Sequence, residues 1–188
     1  MHPLICQSQR SIYQGSVIAV RVDQVEIEPG RCLQLDLVLH PGAAAVVPLT
    51  AAGEVVLVRQ RRYPTGTSLL EVLAGKRDPG ETPETCARRE LEEETGLRAA
   101  RLTPLGPIWT TPGFCNELIW LYLAESLSET AQALDADEVL EVERLPWATA
   151  VAQAVDGTLT DAKTICALLR ADARLRSRPA AAATTPIP

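Results

Sequence analysis

The segment from Gly75 to Leu97, GKRDPGETPETCARRELEEETGL, constrains the fold more than any other part of the chain. Thr82 is a favourable residue for a helix N-cap, and Pro83 suits the first helical position. Gly96 is typical of the residue that follows a helix end. Together these signals predict one helix over residues 83–95.

Glutamates crowd this predicted helix at positions 90, 92, 93 and 94. Residues four apart share a helix face, and Ala87 and Leu91 mark the buried face. The same spacing puts Glu90 and Glu94 at the border of that face and directs Glu92 away from it. Carboxylates at the edge of a core are costly unless a cation joins them, and oxygen ligands suit Mg²⁺ or Mn²⁺. From spacing alone, a divalent metal site and an ordinary solvated helix both remain open.

Strands dominate the rest of the chain. Alternating apolar and polar residues predict a strand at SVIAVRVDQVEIE. Further strands are predicted at CLQLDLVLH, AAAVVPLT, EVVLVRQRRY, SLLEVLAG, RAARLTPLG, ELIWLYLAES and VLEVERL. Two late helices are predicted at WATAVAQAVDG and DAKTICALLRADARL. This order indicates an α+β protein, or an α/β protein with a mixed sheet. We expect a small antiparallel β unit at 1–43, a main domain at 44–175 and a disordered tail at 176–188.

Composition excludes several classes of protein. The 188 residues carry a net charge of −6 and a pI near 5.0, which argues against a nucleic-acid-binding surface. Five cysteines lie far apart without a CxxC pair, so we expect no zinc module and reduced thiols in the cytoplasm. No run approaches the roughly 18 apolar residues of a membrane-spanning helix, so we expect no membrane partner.

The segment from residue 75 to residue 97 resembles the complete Nudix box. The matching positions are Gly75, Glu81, Arg89, Glu90, Leu91, Glu93, Glu94, Gly96 and Leu97. Nudix enzymes hydrolyse nucleoside diphosphates linked to another moiety, use a divalent metal and have an α/β/α sandwich fold with a mixed sheet. The resemblance implies that Glu90 and Glu94 hold metal, Mg²⁺ or Mn²⁺, and that the Ala74 carbonyl adds a ligand. It also implies a catalytic role for Glu93, whose carboxylate either binds a metal or pairs with Arg89.

Further stretches are similar to ADP-ribose pyrophosphatases of that family. They are VRQRRYPTGTSLLEVLAGKRDPGE, TTPGFCNE, DADEVLEVERLPW and GTLTDAKTICALL. The similarity implies cleavage of ADP-ribose to AMP and ribose 5-phosphate. The N-terminal IYQGSVIAVRVD is weakly similar to the family's leading β unit, which implies a homodimer with a swapped β unit.

Other functions remain open beside this one. A Nudix enzyme could act on another nucleoside diphosphate sugar, such as GDP-mannose. NADH hydrolysis is less expected, since such enzymes often carry a four-cysteine zinc module. A Nudix module that senses a nucleotide without cleaving it usually lacks box glutamates, whereas this box is complete.

Residues outside the box also take roles from the resemblance. Arg62 is a candidate for binding the substrate phosphates, the alternative being an exposed arginine at a strand end. Gly113, Phe114 and Glu117 match the loop that lines the terminal ribose. Phe114 is the one phenylalanine in the chain, so a place in the core is the alternative.

A third acidic group is expected on the loop before the last strand. Glu138 matches a metal ligand on this loop, and the resemblance also implies a catalytic role for it. Many relatives carry a further glutamate two residues earlier, where this chain has Ala136. The identity of the general base is therefore left open.

Overall fold

An antiparallel three-stranded sheet begins the chain in the computed structural model, which describes residues 2–134 and 139–178. Its strands, in spatial order, are β1 (Ile5–Gln14), β2 (Ala19–Glu28) and β3 (Arg31–Leu39). The hairpin predicted around Pro29 and Gly30 joins β2 to β3, with Gly30 in the left-handed conformation at a φ of 76°. The sequence pattern does not predict β1, because the strand is rich in polar residues and is exposed along its whole length.

Within the described residues, the rest of the chain forms two further sheets and three α-helices. In chain order these elements are β4 (Ala43–Pro48), β5 (Glu54–Arg62), β6 (Thr67–Glu71), β7 (Leu73–Lys76), α1 (Pro83–Thr95), β8 (Leu97–Trp109), β9 (Leu118–Glu129), β10 (Leu140–Pro146), α2 (Trp147–Asp156) and α3 (Ala162–Arg176). One sheet has the order β7-β4-β9-β8, with β4 and β9 parallel and the other pairs antiparallel. The other sheet is antiparallel and has the order β10-β5-β6.

Helices cover both faces of these sheets. Consecutive residues of a strand point to opposite faces, so β4 contributes to two apolar clusters. Val46 belongs to the cluster that contains Leu91 of α1, whereas Val47 belongs to the cluster that contains Leu168 of α3. The predicted α+β class, with an α/β/α sandwich, a mixed sheet and a small N-terminal β unit, is confirmed.

The predicted strand SLLEVLAG is interrupted at Val72. Its first half is β6, which pairs with β5, and its second half is β7, which pairs with β4 in the other sheet. Between them, the Val72 N–H donates to Oγ1 of Thr164 on α3 over 2.9 Å. A side chain distant in sequence therefore takes the place of a strand partner, which the alternation of residues cannot indicate.

Two of the predicted features lie wholly or mostly outside the described residues. Most of the tail predicted at 176–188 falls outside them, as does Glu138. No helix in residues 2–134 and 139–178 combines the length and apolar character that a membrane crossing requires. All five cysteines are free thiols in the structure.

Candidate active site

Helix α1 begins and ends where its local sequence predicts. The Thr82 side chain accepts a hydrogen bond from the Thr85 N–H, which satisfies a donor left over at the helix N-terminus. Gly96 follows the helix at a φ of 65°, and a Cβ there would lie 2.9 Å from the carbonyl oxygen of Thr130. The observed bounds, Pro83–Thr95, match the prediction and fix which glutamates face the sheet.

Two glutamates of α1 are buried at the edge of the core. Glu90 is 5% exposed and Glu94 is 2% exposed, beside Leu91, which packs into the cluster under the helix. Glu92 lies on the outer side, where its carboxylate accepts hydrogen bonds from Arg98. The helical spacing predicted this difference between the glutamates. A solvated helix face, the alternative to a metal site, does not account for the buried pair.

Strand β7 comes into direct contact with one of these carboxylates. A Cβ placed on Gly75 would lie 1.7 Å from Oε1 of Glu90, so the carboxylate occupies the space above the glycine backbone. Ala74 precedes Gly75 on β7 and pairs with Ala45 of β4. The fold therefore brings together the strand that carries the predicted carbonyl ligand and the helix that carries the predicted carboxylate ligands.

Arg89 connects the acidic residues of the box. Its Nε lies 3.0 Å from Oε1 of Glu81, and its Nη1 lies 2.7 Å from Oε1 of Glu90 and 2.9 Å from Oε2 of Glu93. The hydrogen bond to Glu81 is the largest of several effects that raise the pKa of Arg89. The same bond lowers the pKa of Glu81. Of the two alternatives for Glu93, the structure has the pair with Arg89; its catalytic role stays a prediction.

Arg62 lies at the end of β5 and forms a paired contact with a buried carboxylate. Its Nε and Nη2 each donate to Glu71 over 2.8 Å, and Glu71 is 1% exposed. Lys163 at the start of α3 also donates to Glu71. Burial alone would raise the pKa of Glu71, but the hydrogen bond from Arg62 and the charge of Lys163 outweigh it and lower that pKa. The hydrogen bond with Glu71 is the main cause of the raised pKa of Arg62, and the charge of Glu94 on α1 makes a smaller contribution.

Sequence reasoning did not single out Glu71 or Lys163. A signal for Glu71 was present, because a lone carboxylate inside the apolar run SLLEVLAG requires a cation if the strand is buried. Lys163 gave no comparable signal, since a lysine in the first turn of a helix is normally solvated.

The loop predicted to line the ribose is attached to β3. The Val38 N–H donates to the carbonyl of Phe114 over 2.8 Å, and the Asn116 N–H donates to the carbonyl of Val38 over 3.1 Å. Phe114 is 52% exposed, so the alternative of a core phenylalanine is wrong. With Trp109 and parts of β3 it lines a cavity of about 370 Å³.

Glu117, at the end of the same loop, has two polar neighbours. It accepts a hydrogen bond from Oγ1 of Thr110 over 2.9 Å, and its other oxygen lies 3.5 Å from Nδ1 of His40. Gly113 lies on the loop, and the position that a Cβ on it would occupy is open space. The roles of Gly113, Phe114 and Glu117 toward a ribose stay predictions.

The residues of the box fit a divalent cation. The donors that the resemblance predicts are the carboxylates of Glu90 and Glu94, within the box, and the carbonyl of Ala74, just before it. Oxygen donors are those that Mg²⁺ and Mn²⁺ prefer. In residues 2–134 and 139–178, no three acidic, histidine or cysteine side chains form a metal cluster by themselves. Glu138, the further predicted ligand, lies outside those residues.

Comparisons with known proteins agree with this geometry. Residues 39–168 match the NUDIX domain. ADP-ribose pyrophosphatase of Bacillus subtilis (strain 168) is 39% identical over 86% of this chain and 88% of its own length. A methanol dehydrogenase activator of Bacillus methanolicus is 39% identical over 84% of this chain and 86% of its own. GDP-mannose pyrophosphatase of Yersinia pestis (strain Pestoides F) is 37% identical over 68% of each chain.

A solved structure has the same architecture. The crystal structure of an ADP compounds hydrolase superposes with a TM-score of 0.83 at 23% identity, covering 94% of this chain and 96% of the other. At that identity the likeness concerns the fold. The sequence match to the NUDIX domain over residues 39–168 and the 39% identity over most of the length of two relatives go further: this chain belongs to the Nudix family.

Proposed function

We propose that the chain hydrolyses the diphosphate of ADP-ribose to AMP and ribose 5-phosphate with the help of a divalent metal ion. The observation that carries the proposal is the burial of Glu90 and Glu94 beside Gly75 within a complete Nudix box. The similarity to the Bacillus subtilis ADP-ribose pyrophosphatase supports the choice of substrate.

Mg²⁺ is the proposed ion, with Mn²⁺ as the alternative. Glu90, Glu94, Glu138 and the carbonyl oxygen of Ala74 would hold it. A bound ion would offset the negative charge of the diphosphate and lower the pKa of a bound water. Arg89 forms an ion pair with the carboxylate of Glu90 and helps to hold that carboxylate in the orientation that metal binding requires.

Arg62 and the loop after β8 are proposed to bind the substrate. The pair with Glu71 uses Nε and Nη2 of Arg62, and Nη1 takes no part in that pair. A guanidinium suits a phosphate because its planar donors match the phosphate oxygens. Phe114, with its exposed ring beside the cavity, and Glu117 would contact the ribose, while Gly113 lets the loop approach closely.

A homodimer is part of the proposal, with residues 1–43 as the dimerisation unit and 44–175 as the hydrolase domain. A three-stranded sheet of this size rarely folds without further packing. Large apolar side chains are exposed on and beside it, namely Leu4, Ile5, Ile12, Tyr13, Val17 and Leu33. A second copy of the chain would cover them and bring its own sheet close to the substrate.

A cytoplasmic location also belongs to the proposal. Five cysteines without a disulfide among them suit a reducing compartment. The proposed partners are small nucleoside diphosphates and a second copy of the chain, and the net charge of −6 does not suit nucleic acid.

GDP-mannose is the second candidate substrate, because a GDP-mannose pyrophosphatase is 37% identical over 68% of this chain. A module that binds a nucleotide without cleaving it is the candidate from another class. The name of the Bacillus methanolicus relative describes an activator of another enzyme, so a regulatory use of a Nudix chain is an alternative to test.

The test is hydrolysis of a panel of nucleoside diphosphate sugars with Mg²⁺, followed as phosphate released by a coupled phosphatase. We expect the highest kcat/KM with ADP-ribose. A higher value with GDP-mannose would favour the second substrate, and tight binding of ADP-ribose without hydrolysis would favour the sensing module. The double variant Glu90→Gln/Glu94→Gln is the control, since its loss of activity excludes a contaminating hydrolase.

A further inference from the structure

The cluster around Glu71 holds four charged groups where β6 meets α3. Two cations contact Glu71: Arg62 through two hydrogen bonds of 2.8 Å, and Lys163 through its Nζ. Lys163 also lies 3.1 Å from Oδ2 of Asp161, the N-cap of α3. A fully buried carboxylate with two cationic partners is costly to assemble, and it does not belong to the Nudix box.

Glu71 fixes the plane of the Arg62 guanidinium. A paired contact of two parallel hydrogen bonds restricts both the position and the tilt of the group. The Arg62 side chain keeps 38% of its surface exposed, whereas that of Glu71 keeps 1%. Glu71 therefore cannot reach a substrate, but it determines how the exposed part of Arg62 is presented.

Lys163 affects how strongly Arg62 can attract an anion. The carboxylates of Glu71 and Asp161 both act on Arg62. Without Lys163, one guanidinium would face two carboxylates and would attract a phosphate only weakly. Lys163, whose side chain is 12% exposed, offsets one of these two negative charges, so Arg62 keeps more of its attraction for an anion.

We propose that Glu71 and Lys163 are positioning residues for substrate binding: Glu71 orients Arg62 toward the diphosphate, and Lys163 offsets the charge of Glu71 so that Arg62 attracts it. The first turn of α3 thereby becomes part of the binding machinery without touching the substrate. This inference rests on the proposed function, in which Arg62 contacts the phosphates.

The test is a double-mutant cycle on the KM for ADP-ribose at saturating Mg²⁺. Arg62→Ala and Glu71→Gln should each raise KM roughly tenfold, since each removes a charge-assisted contact or its orientation, and kcat should change much less. The double variant Arg62→Ala/Glu71→Gln should have the KM of Arg62→Ala alone, because Glu71 acts through Arg62. Effects on KM that multiply in the double variant would overturn the inference.

A purely structural role gives a different result. It would lower the melting temperature and the active fraction with an unchanged KM, and that outcome also overturns the inference. If Glu71→Gln does not fold, Lys163→Gln goes through the same cycle, with a raised KM expected only when Arg62 is present. Glu143→Gln is the matched control: it breaks the pair with Arg59 on the same strand and should leave KM within about twofold of the wild type.

The outcomes separate this inference from the proposed function. If the wild type hydrolyses ADP-ribose but Arg62→Ala leaves KM unchanged, the positioning role is wrong and the enzyme activity stands. If the wild type prefers another member of the substrate panel, the proposed substrate is wrong, and the cycle is run with the preferred one.

Discussion

Oε1 of Glu90 lies 1.7 Å from the position that a Cβ on residue 75 would occupy. Gly75 is therefore required for a close approach between β7 and α1. Gly96 differs, because it has a φ of 65° and is required for its conformation as well. A methyl group at position 75 would displace the carboxylate of Glu90 from the backbone next to Ala74.

Gly75→Ala should weaken metal binding. Moving one ligand away from its supporting backbone should raise the Mg²⁺ concentration for half-maximal activity by roughly tenfold or more. A titration of the initial rate with Mg²⁺ measures this change. Gly53→Ala is the control: it removes a glycine at a φ of 77° with open space around it, so it should cost stability and leave the Mg²⁺ dependence unchanged. An unaltered titration for Gly75→Ala would contradict the prediction.

Three matched substitutions on α1 test the assignment of its faces. Glu90→Gln and Glu94→Gln should each lower kcat by at least about a hundredfold, because each removes a charged oxygen ligand. Glu92→Gln should be nearly silent, since Glu92 pairs with Arg98 at the surface. Initial rates at saturating ADP-ribose and Mg²⁺ give the comparison. Similar losses in all three variants would show that the helix face does not decide the role.

Glu138→Gln should act mainly through the metal. We favour a ligand over a general base for Glu138, so excess Mg²⁺ should restore much of the lost rate. Rates measured against both Mg²⁺ concentration and pH distinguish the two roles. If excess Mg²⁺ restores nothing and the acidic limb of the pH profile disappears, Glu138 is the base.

The chain should be a dimer at the concentrations at which it is active. The exposed apolar side chains of β1 and its neighbours favour burial against a second copy. Light scattering measures the mass, and activity at successive dilutions shows whether hydrolysis depends on association. A monomer that keeps full activity at nanomolar concentration would rule out this proposal.

Glu125 on β9 should make stability depend on pH in the acidic range. A hydrogen bond from Arg178, with a further one from Arg101, lowers the pKa of Glu125 from 4.5 to about 2. A lowered folded-state pKa gives stability that is present above the unfolded pKa and is lost as pH falls through the folded one. Glu125→Gln should therefore cost about 2 kcal/mol at pH 7, allowing for the exposure of both arginines, and less as pH falls from about 4.5 to about 2.

Denaturant unfolding at a series of pH values measures the effect of Glu125→Gln. Glu92→Gln, which breaks an exposed pair with Arg98, is the control and should change the unfolding curve much less. A cost that stays constant down to pH 2 would mean that packing, and not the charge of Glu125, stabilises this contact.

Local signals predicted the central helix well. Thr82, Pro83 and Gly96 act within a few residues of themselves, so the bounds of α1 follow from the sequence alone. The border positions of Glu90 and Glu94 follow from helical spacing for the same reason. Their burial is as predicted; their roles depend on the resemblance to the family and await the substitutions above.

The sequence pattern could not predict contacts between segments that lie far apart in the chain. The break at Val72 depends on Thr164, and the burial of Glu71 depends on Lys163, which lies 92 residues further along the chain. The strand β8 continues to Trp109 past an irregularity between Pro104 and Gly106, because it pairs with β9 along its whole length. Such features are set by tertiary contacts, which override the local preference of the segment.

The hydrogen bond from the Val72 N–H to Thr164 has a consequence for synthesis on the ribosome. A nascent chain that has released the first residue of β8 already carries every residue of the box, but the strand junction beside Ala74 still lacks its anchor. That anchor arrives only with the first turn of α3, which is made well after the box. The junction between β6 and β7 is therefore completed after the box itself, and a chain truncated before α3 should contain the whole motif but lack this anchor.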